Sequence, residues 1–141
     1  MTEVVVDASI ATKWFLAEVH SDTACRLREP RFELFAPAFI QLELTSIATQ
    51  KVRRGVLTDQ QSKEFLERAL ALPLALVDDA PHLADAYRLA LTFHPSVYDC
   101  LYAAVAISRA CSLVTADRPF YDRLARPYPG LMLWVEDIPF A

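Results

Sequence analysis

The sequence predicts an α/β fold, a three-layer α/β/α sandwich around a central parallel sheet. Three observations predict it. Short apolar runs alternate along the whole chain with segments of helical apolar spacing. The first run, Val4-Val5-Val6, is β-branched and unbroken by polar residues, which suits a strand covered on both faces better than an edge strand with one wet side. Strand-helix alternation also leaves the strands to be joined by right-handed crossovers.

Residues 3–6 form the first strand, ending at Asp7, and residues 8–18 follow as a helix with Ile10, Trp14 and Phe15 at helical spacing. Residues 20–28 read as a short helix and 32–35 as a second strand, closed by Pro37. Phe39, Leu42, Ile47 and Val52 give residues 38–54 a helical pattern with Gly55 as its C-cap. Thr58 and Gln61 make a capping box that opens a helix running to residue 71, and Pro73 ends it. Residues 74–77 are a third strand, and Pro81 stands in the first turn of a helix reaching Phe93. Ser96 caps a further helix over 97–110, apolar enough to be buried. Residues 112–115 make the fourth strand, a short helix follows Asp117 through Leu124, and 131–135 are the last strand. No internal repeat is present.

The 141 residues, 54% hydrophobic, can bury one substantial core, so a single domain over residues 1–141 is expected. With two Gly, nine Pro and no run of like charges, no flexible linker is expected. The longest nearly uncharged stretch, residues 89–108, contains His94, Pro95, Ser96 and Asp99, which excludes the ~20 apolar residues of a membrane-spanning helix. Glu3 and Asp7 precede the first Lys, the wrong order for an export signal. Cys25, Cys100 and Cys111 form an odd set without CxxC spacing, which argues against a disulfide framework or zinc and for a cytoplasmic setting. Cys100 and Cys111 read as small buried hydrophobes on one helix. A net charge of −4 argues against broad adhesion to nucleic acid, although carboxylates that hold a divalent cation are neutralised once it binds.

Four acids stand out. Asp7 follows the first strand and Asp117 the fourth, so both sit at carboxyl ends, where open parallel sheets bind ligands at the switch in strand order. Glu43 and Asp99 interrupt segments that read as buried helix interiors, and no cation within four residues of Asp99 can pair with it. Asp7 and Asp117 are equally good helix N-caps, so that plainer reading stays open for both. If the four converge, a hard divalent cation with oxygen ligands, Mg²⁺ or Mn²⁺, relieves their repulsion, and the chemistry implied is phosphodiester hydrolysis by activated water. A phosphatase with a nucleophilic aspartate is disfavoured, because Asp7-Ala8-Ser9 lacks a second acid two residues on.

At these acids the chain resembles the PIN domains, specifically the VapC-type toxin ribonucleases of toxin-antitoxin pairs. The resemblance is carried by VVVDASIATKWF, PAFIQLEL, SVYDCLYAAVA and LVTAD, in that order over nearly the whole chain. It assigns Asp7, Glu43, Asp99 and Asp117 to an acidic quartet, with Ser9 and Thr115 as supporting hydroxyls. It further implies dependence on Mg²⁺ or Mn²⁺, endoribonuclease activity on tRNA or rRNA, homodimers and inhibition by a cognate antitoxin. Asp7, Glu43 and Asp99 are expected to hold the main ion, while Asp117 binds a second ion or positions water for in-line attack. One departure is Ser46, where family members often carry Asn; its shorter side chain is expected to orient Glu43 less firmly. The alternative function is a PIN-fold scaffold that has lost catalysis.

Among the cations, Arg118 and Lys13 are the expected phosphate contacts, Arg118 because it follows Asp117 directly; Lys51, Arg53, Arg54 and Arg88 read more simply as solvated surface. Asp122 reads as surface charge, with an outer role at the site as the alternative. His20, His82 and His94 share no ligand spacing. Trp14, Phe15, Phe39, Tyr98 and Tyr102 read as core rather than base-stacking surfaces. The apolar faces of the helices between residues 38 and 71 exceed what a small core covers; the resemblance implies an antitoxin helix in a groove there, with a self-contained core or a homodimer interface as the alternatives.

Overall fold

In the computed structural model, which describes residues 1–140, five strands form one sheet: β1 (Thr2–Val6), β2 (Phe32–Pro37), β3 (Ala75–Val77), β4 (Ser112–Thr115) and β5 (Met132–Trp134). All neighbours pair in parallel, in the order β3-β2-β1-β4-β5. Seven helices connect them: α1 (Ala8–Lys13), α2 (Ser21–Ala24), α3 (Ile40–Arg53), α4 (Asp59–Leu70), α5 (Leu83–Phe93), α6 (Val97–Arg109) and α7 (Arg118–Ala125). The crossovers from β1 to β2 and β2 to β3 step one way along the sheet, and those from β3 to β4 and β4 to β5 step the other way. Right-handed connections therefore put α1 to α4 on one face and α5 to α7 on the other. The reversal falls between β1 and β4, so a crevice opens beyond the carboxyl ends of those two strands.

Packing explains why these segments take these forms. Val5 and Val6 on β1 and Leu113 and Val114 on β4 are fully buried between the helical layers, as the uninterrupted apolar strands require. Helix α6 packs against β1, β2 and β4 on one side and α5 on the other. It buries every residue from Cys100 to Ala106, the pattern of a helix with apolar residues all round. The Thr58 and Gln61 capping box closes as the spacing predicts, each side chain accepting from the other residue's backbone N–H. Gly55, at φ 72°, ends α3: its N–H reaches the Val52 carbonyl and that of Val56 the Lys51 carbonyl. Among the described residues no helix is long and apolar enough to cross a membrane.

Three local expectations need correction. The first helix stops at Lys13 rather than residue 18, because Trp14 turns inward to donate its indole N–H to the Ala24 carbonyl and the Ser21 hydroxyl bonds Leu16 and Glu18. The segment 20–28 splits into the single turn α2 and a 3₁₀ turn, Cys25–Arg28. Cys111 is not on the helix that carries Cys100: Ala110, in the left-handed region at φ 53°, ends α6 before it, and Cys111 is only half-buried.

Candidate active site

Asp7 occupies the first residue beyond β1 and is almost wholly buried. Its Oδ1 accepts from the Ser9 hydroxyl at 2.5 Å and from the Ile10 N–H at 3.2 Å, and its Oδ2 accepts from the Thr115 hydroxyl at 2.5 Å. The two hydroxyls also accept from the opposite crossover: Ser9 from the Ala116 N–H and Thr115 from the Asp117 N–H, both at 3.1 Å. A polar network thus ties the end of β1 to the end of β4 across the switch point. Burial pushes the Asp7 carboxyl up to about 6, although all three donors favour its charged form.

Asp117 caps α7, accepting from the Phe120 N–H at 3.1 Å. Capping and convergence are therefore not alternatives at Asp7 and Asp117, since each carboxylate caps its helix and also lines the cleft. Glu43 comes from α3 on one face of the sheet and Asp99 from α6 on the other. Both lie in the first turn of their helices rather than the interior, which places them at the positive end of the helix dipole and softens the cost of their partial burial. Together Asp7, Glu43, Asp99 and Asp117 line a cleft of about 160 Å³ with Ala8, Ser9 and Ile47. Desolvation, followed by repulsion from Asp7 and Asp117, pushes Asp99 up to about 6, and burial raises Glu43. Among the described residues no Lys, Arg or His forms an ion pair with any of the four.

The sequence matches the PIN domain family over residues 4–126. This chain belongs to that family. It is 31% identical over 132 residues to ribonuclease VapC3 of Pyrobaculum aerophilum, covering 92% of this chain and 98% of the relative, which makes it a PIN domain of the VapC type. Its fold is similar to the crystal structure of PAE2754 from Pyrobaculum aerophilum, with a TM-score of 0.71 and 26% identity over 96% of this chain and 85% of that one. It is also similar in fold to VapBC2 from Rickettsia felis, solved bound to a DNA fragment from their promoter (TM-score 0.67, 15% identity, 94% of this chain and 98% of that one).

In this PIN domain the support of Glu43 differs from the sequence expectation. Ser46 is exposed, and its hydroxyl accepts from Gln50 rather than meeting the glutamate. The Tyr102 hydroxyl does the orienting instead, donating to Glu43 Oε1 at 2.5 Å from the opposite helical layer. Burial and the adjacent carboxylate raise the tyrosine far above its ordinary range, so it stays a donor. The sequence carried a signal for this: Tyr102 falls three residues after Asp99, on the same side of the helix. Lys13 lies outside the cleft lining and is held by Glu18, which also pairs with Lys51 at 3.0 Å. Arg118 is exposed at the start of α7, paired with Asp122 at 3.1 Å, with its guanidinium over Tyr121 and Trp134. Trp14 and Tyr102 are buried as expected, but Tyr98 is 58% exposed and stacks on Phe39.

The donor chemistry of the cleft bears on the class of cation it suits. The polar side-chain atoms on its wall are all oxygens, beside the carbons of Ala8 and Ile47, and among the described residues no three His, Cys, Asp or Glu side chains stand close enough to hold a metal ion as they are placed. Oxygen donors of this kind suit a hard divalent cation that keeps part of its water shell rather than a structural zinc.

Proposed function

We propose that this protein is a Mg²⁺- or Mn²⁺-dependent endoribonuclease and the toxin of a toxin-antitoxin pair. The observation that carries the reading is the set of four carboxylates, none with a cationic partner among the described residues, around one cleft at the switch point of the sheet. Asp7, Glu43 and Asp99 would hold the ion, with Asp117 holding a second or orienting water. An ion bound there supplies neutralising charge and lowers the pKa of an attacking water. The chain's own part is positional. Ser9 and Thr115 fix both oxygens of Asp7, Tyr102 fixes one oxygen of Glu43, and the helix starts that carry Glu43 and Asp99 aim them from opposite faces. Arg118, exposed one residue after Asp117, would meet a backbone phosphate by letting go of Asp122, and Lys13 only by loosening its hold on Glu18.

The substrate class is tRNA or rRNA, cut at exposed single-stranded loops, as in RNA recognition generally. The ribonuclease relative supports RNA as the substrate, and the likeness to VapBC2 supports an antitoxin partner. A homodimer is supported by Leu83, Tyr87 and Leu91, which stand at successive turns of α5 and are all more than half exposed. The proposed setting is the cytoplasm. The test is cleavage of total RNA by the purified, antitoxin-free chain with Mg²⁺ or Mn²⁺, beside Asp7→Asn and an EDTA control. Discrete fragments are expected only from the wild type with metal. A folded wild type that cuts nothing points to the scaffold function instead.

A further inference from the structure

The cleft that gathers the acids offers a nucleobase nothing to stack on, since its lining is four carboxylates, Ala8, Ser9 and Ile47. The rim does. Phe39 precedes Glu43 by four residues and Tyr98 precedes Tyr102 by four, so each aromatic ring lies one turn, ~5.4 Å, beyond its partner toward the start of its helix. The two helix faces meet twice: the Tyr102 hydroxyl donates to Glu43, and one turn outward the rings of Tyr98 and Phe39 stack with centroids 5.4 Å apart and planes 20° apart. The Phe39 backbone is pinned, its N–H donating to Asp79 Oδ1 at 3.1 Å. Tyr98 is 58% exposed on a helix whose residues from Cys100 to Ala106 are all buried, and its neighbour in sequence is Asp99. A largely exposed aromatic ring therefore stacks on Phe39 one turn outward from the Tyr102 to Glu43 contact.

We propose that Tyr98, braced by Phe39, is a positioning residue that stacks on a nucleobase of the RNA next to the phosphate held at the acids. The proposal rests on the nuclease reading and deepens it: the substrate must present a splayed base one nucleotide from the cut. Stacking of this kind tolerates any base, so the contact sets the register and affinity of the strand rather than its sequence. It also places the substrate strand along the seam between α3 and α6.

The experiment pairs kinetics with a stacking signal. Cleavage kinetics are measured for wild type, Tyr98→Ala, Tyr98→Leu and Tyr98→Phe, each checked for an unchanged melting temperature; Tyr98→Leu keeps apolar packing on Phe39 without a π face. Binding is read separately, with Ca²⁺ as the ion, from the fluorescence of single-stranded oligoribonucleotides carrying 2-aminopurine. The expected result is a rise in KM of about ten- to a hundredfold for the Ala and Leu variants with kcat little changed, rescue by Tyr98→Phe, and quenching of 2-aminopurine at one position that the Ala and Leu variants lose. Equal KM and equal quenching across the series overturn the proposal even where the wild type cuts RNA. Dissociation of a dimer by Tyr98→Ala with unchanged KM also overturns it, assigning the ring to a contact between copies. A wild type that cuts nothing, yet quenches through Tyr98, sinks the nuclease and leaves the stacking contact standing.

Discussion

The two ends of β1 and α6 make opposite use of charge. At the amino end of the sheet Glu3, near the start of β1, pairs with Arg109 at the end of α6, and that guanidinium also lies 3.7 Å from the centre of the Phe35 ring. At the carboxyl end the same two elements present Asp7 and Asp99, four residues after Glu3 and ten before Arg109. These acids find only hydroxyls, backbone N–H groups and one another. Several acids elsewhere are paired with cations, Glu18 with two lysines, Glu29 with Arg31 and Asp59 with Lys63. A protein selected for stability alone would balance both ends. The unbalanced end is where charge has been kept for something that arrives from outside.

The largest effect that tests this contrast is removal of one unbalanced charge. Asp7→Asn keeps the volume and the capping geometry of the side chain, so the fold should survive, while cleavage in Mn²⁺ should fall on the order of 10²–10³-fold. Initial rates on a defined RNA, beside a circular dichroism melt, measure both. An active Asp7→Asn protein would remove Asp7 from the working set.

Next in size is Tyr102→Phe. It deletes the hydroxyl that donates to Glu43 and changes little else in a fully buried ring. Partners that orient a metal ligand typically contribute 10–100-fold in affinity or activity, so titration with Mn²⁺ should give an affinity weaker by about tenfold or more. Ser46→Ala, whose hydroxyl meets Gln50 instead, should leave that affinity unchanged.

The sheet and the acids at its edge were legible because they are written in local signals. A β-branched run ending in Asp7, an apolar run ending just before Asp117, and a capping box at Thr58 each carry their meaning within a few residues. What was not legible depends on contacts between distant segments. That Glu43 and Asp99 sit in first turns rather than helix interiors is decided by where α3 and α6 begin, and apolar spacing locates helix starts poorly. The Tyr102 to Glu43 bond spans 59 residues and two layers. Tyr98 reads as core because aromatics at helical spacing usually are, but it stands on the solvent-exposed first turn of α6.

The unbalanced end should also show in the pH dependence of stability without metal. In the folded chain the Asp7 carboxyl is raised to about 6, above the ~3.9 of an unfolded aspartate. Between those values the folded state holds the extra proton, so stability grows as pH falls from 7 toward 4 and is lost again as pH rises through 6. For Asp7 the change is on the order of 2–3 kcal/mol. Urea unfolding in EDTA at pH 7, 5.5 and 4.5 should show this rise for the wild type and a flatter profile for Asp7→Asn. Saturating Mn²⁺ should erase the slope, because the bound ion takes the place of the proton.

The smallest effect belongs to the balanced end, and it is the control that gives the comparison its meaning. The Glu3 and Arg109 side chains are each about one third exposed, so their pair is screened and contributes little, with a further small term from the guanidinium over Phe35. Arg109→Ala should therefore cost about 1 kcal/mol of stability and leave cleavage and Mn²⁺ affinity unaltered, since Arg109 lies at the far end of α6 from Asp99. Urea unfolding at pH 7 and initial rates on the same RNA measure the two quantities. A large loss of activity with an intact fold would mean that the two ends of α6 are coupled, and that the paired charges at the amino end help to set the position of Asp99.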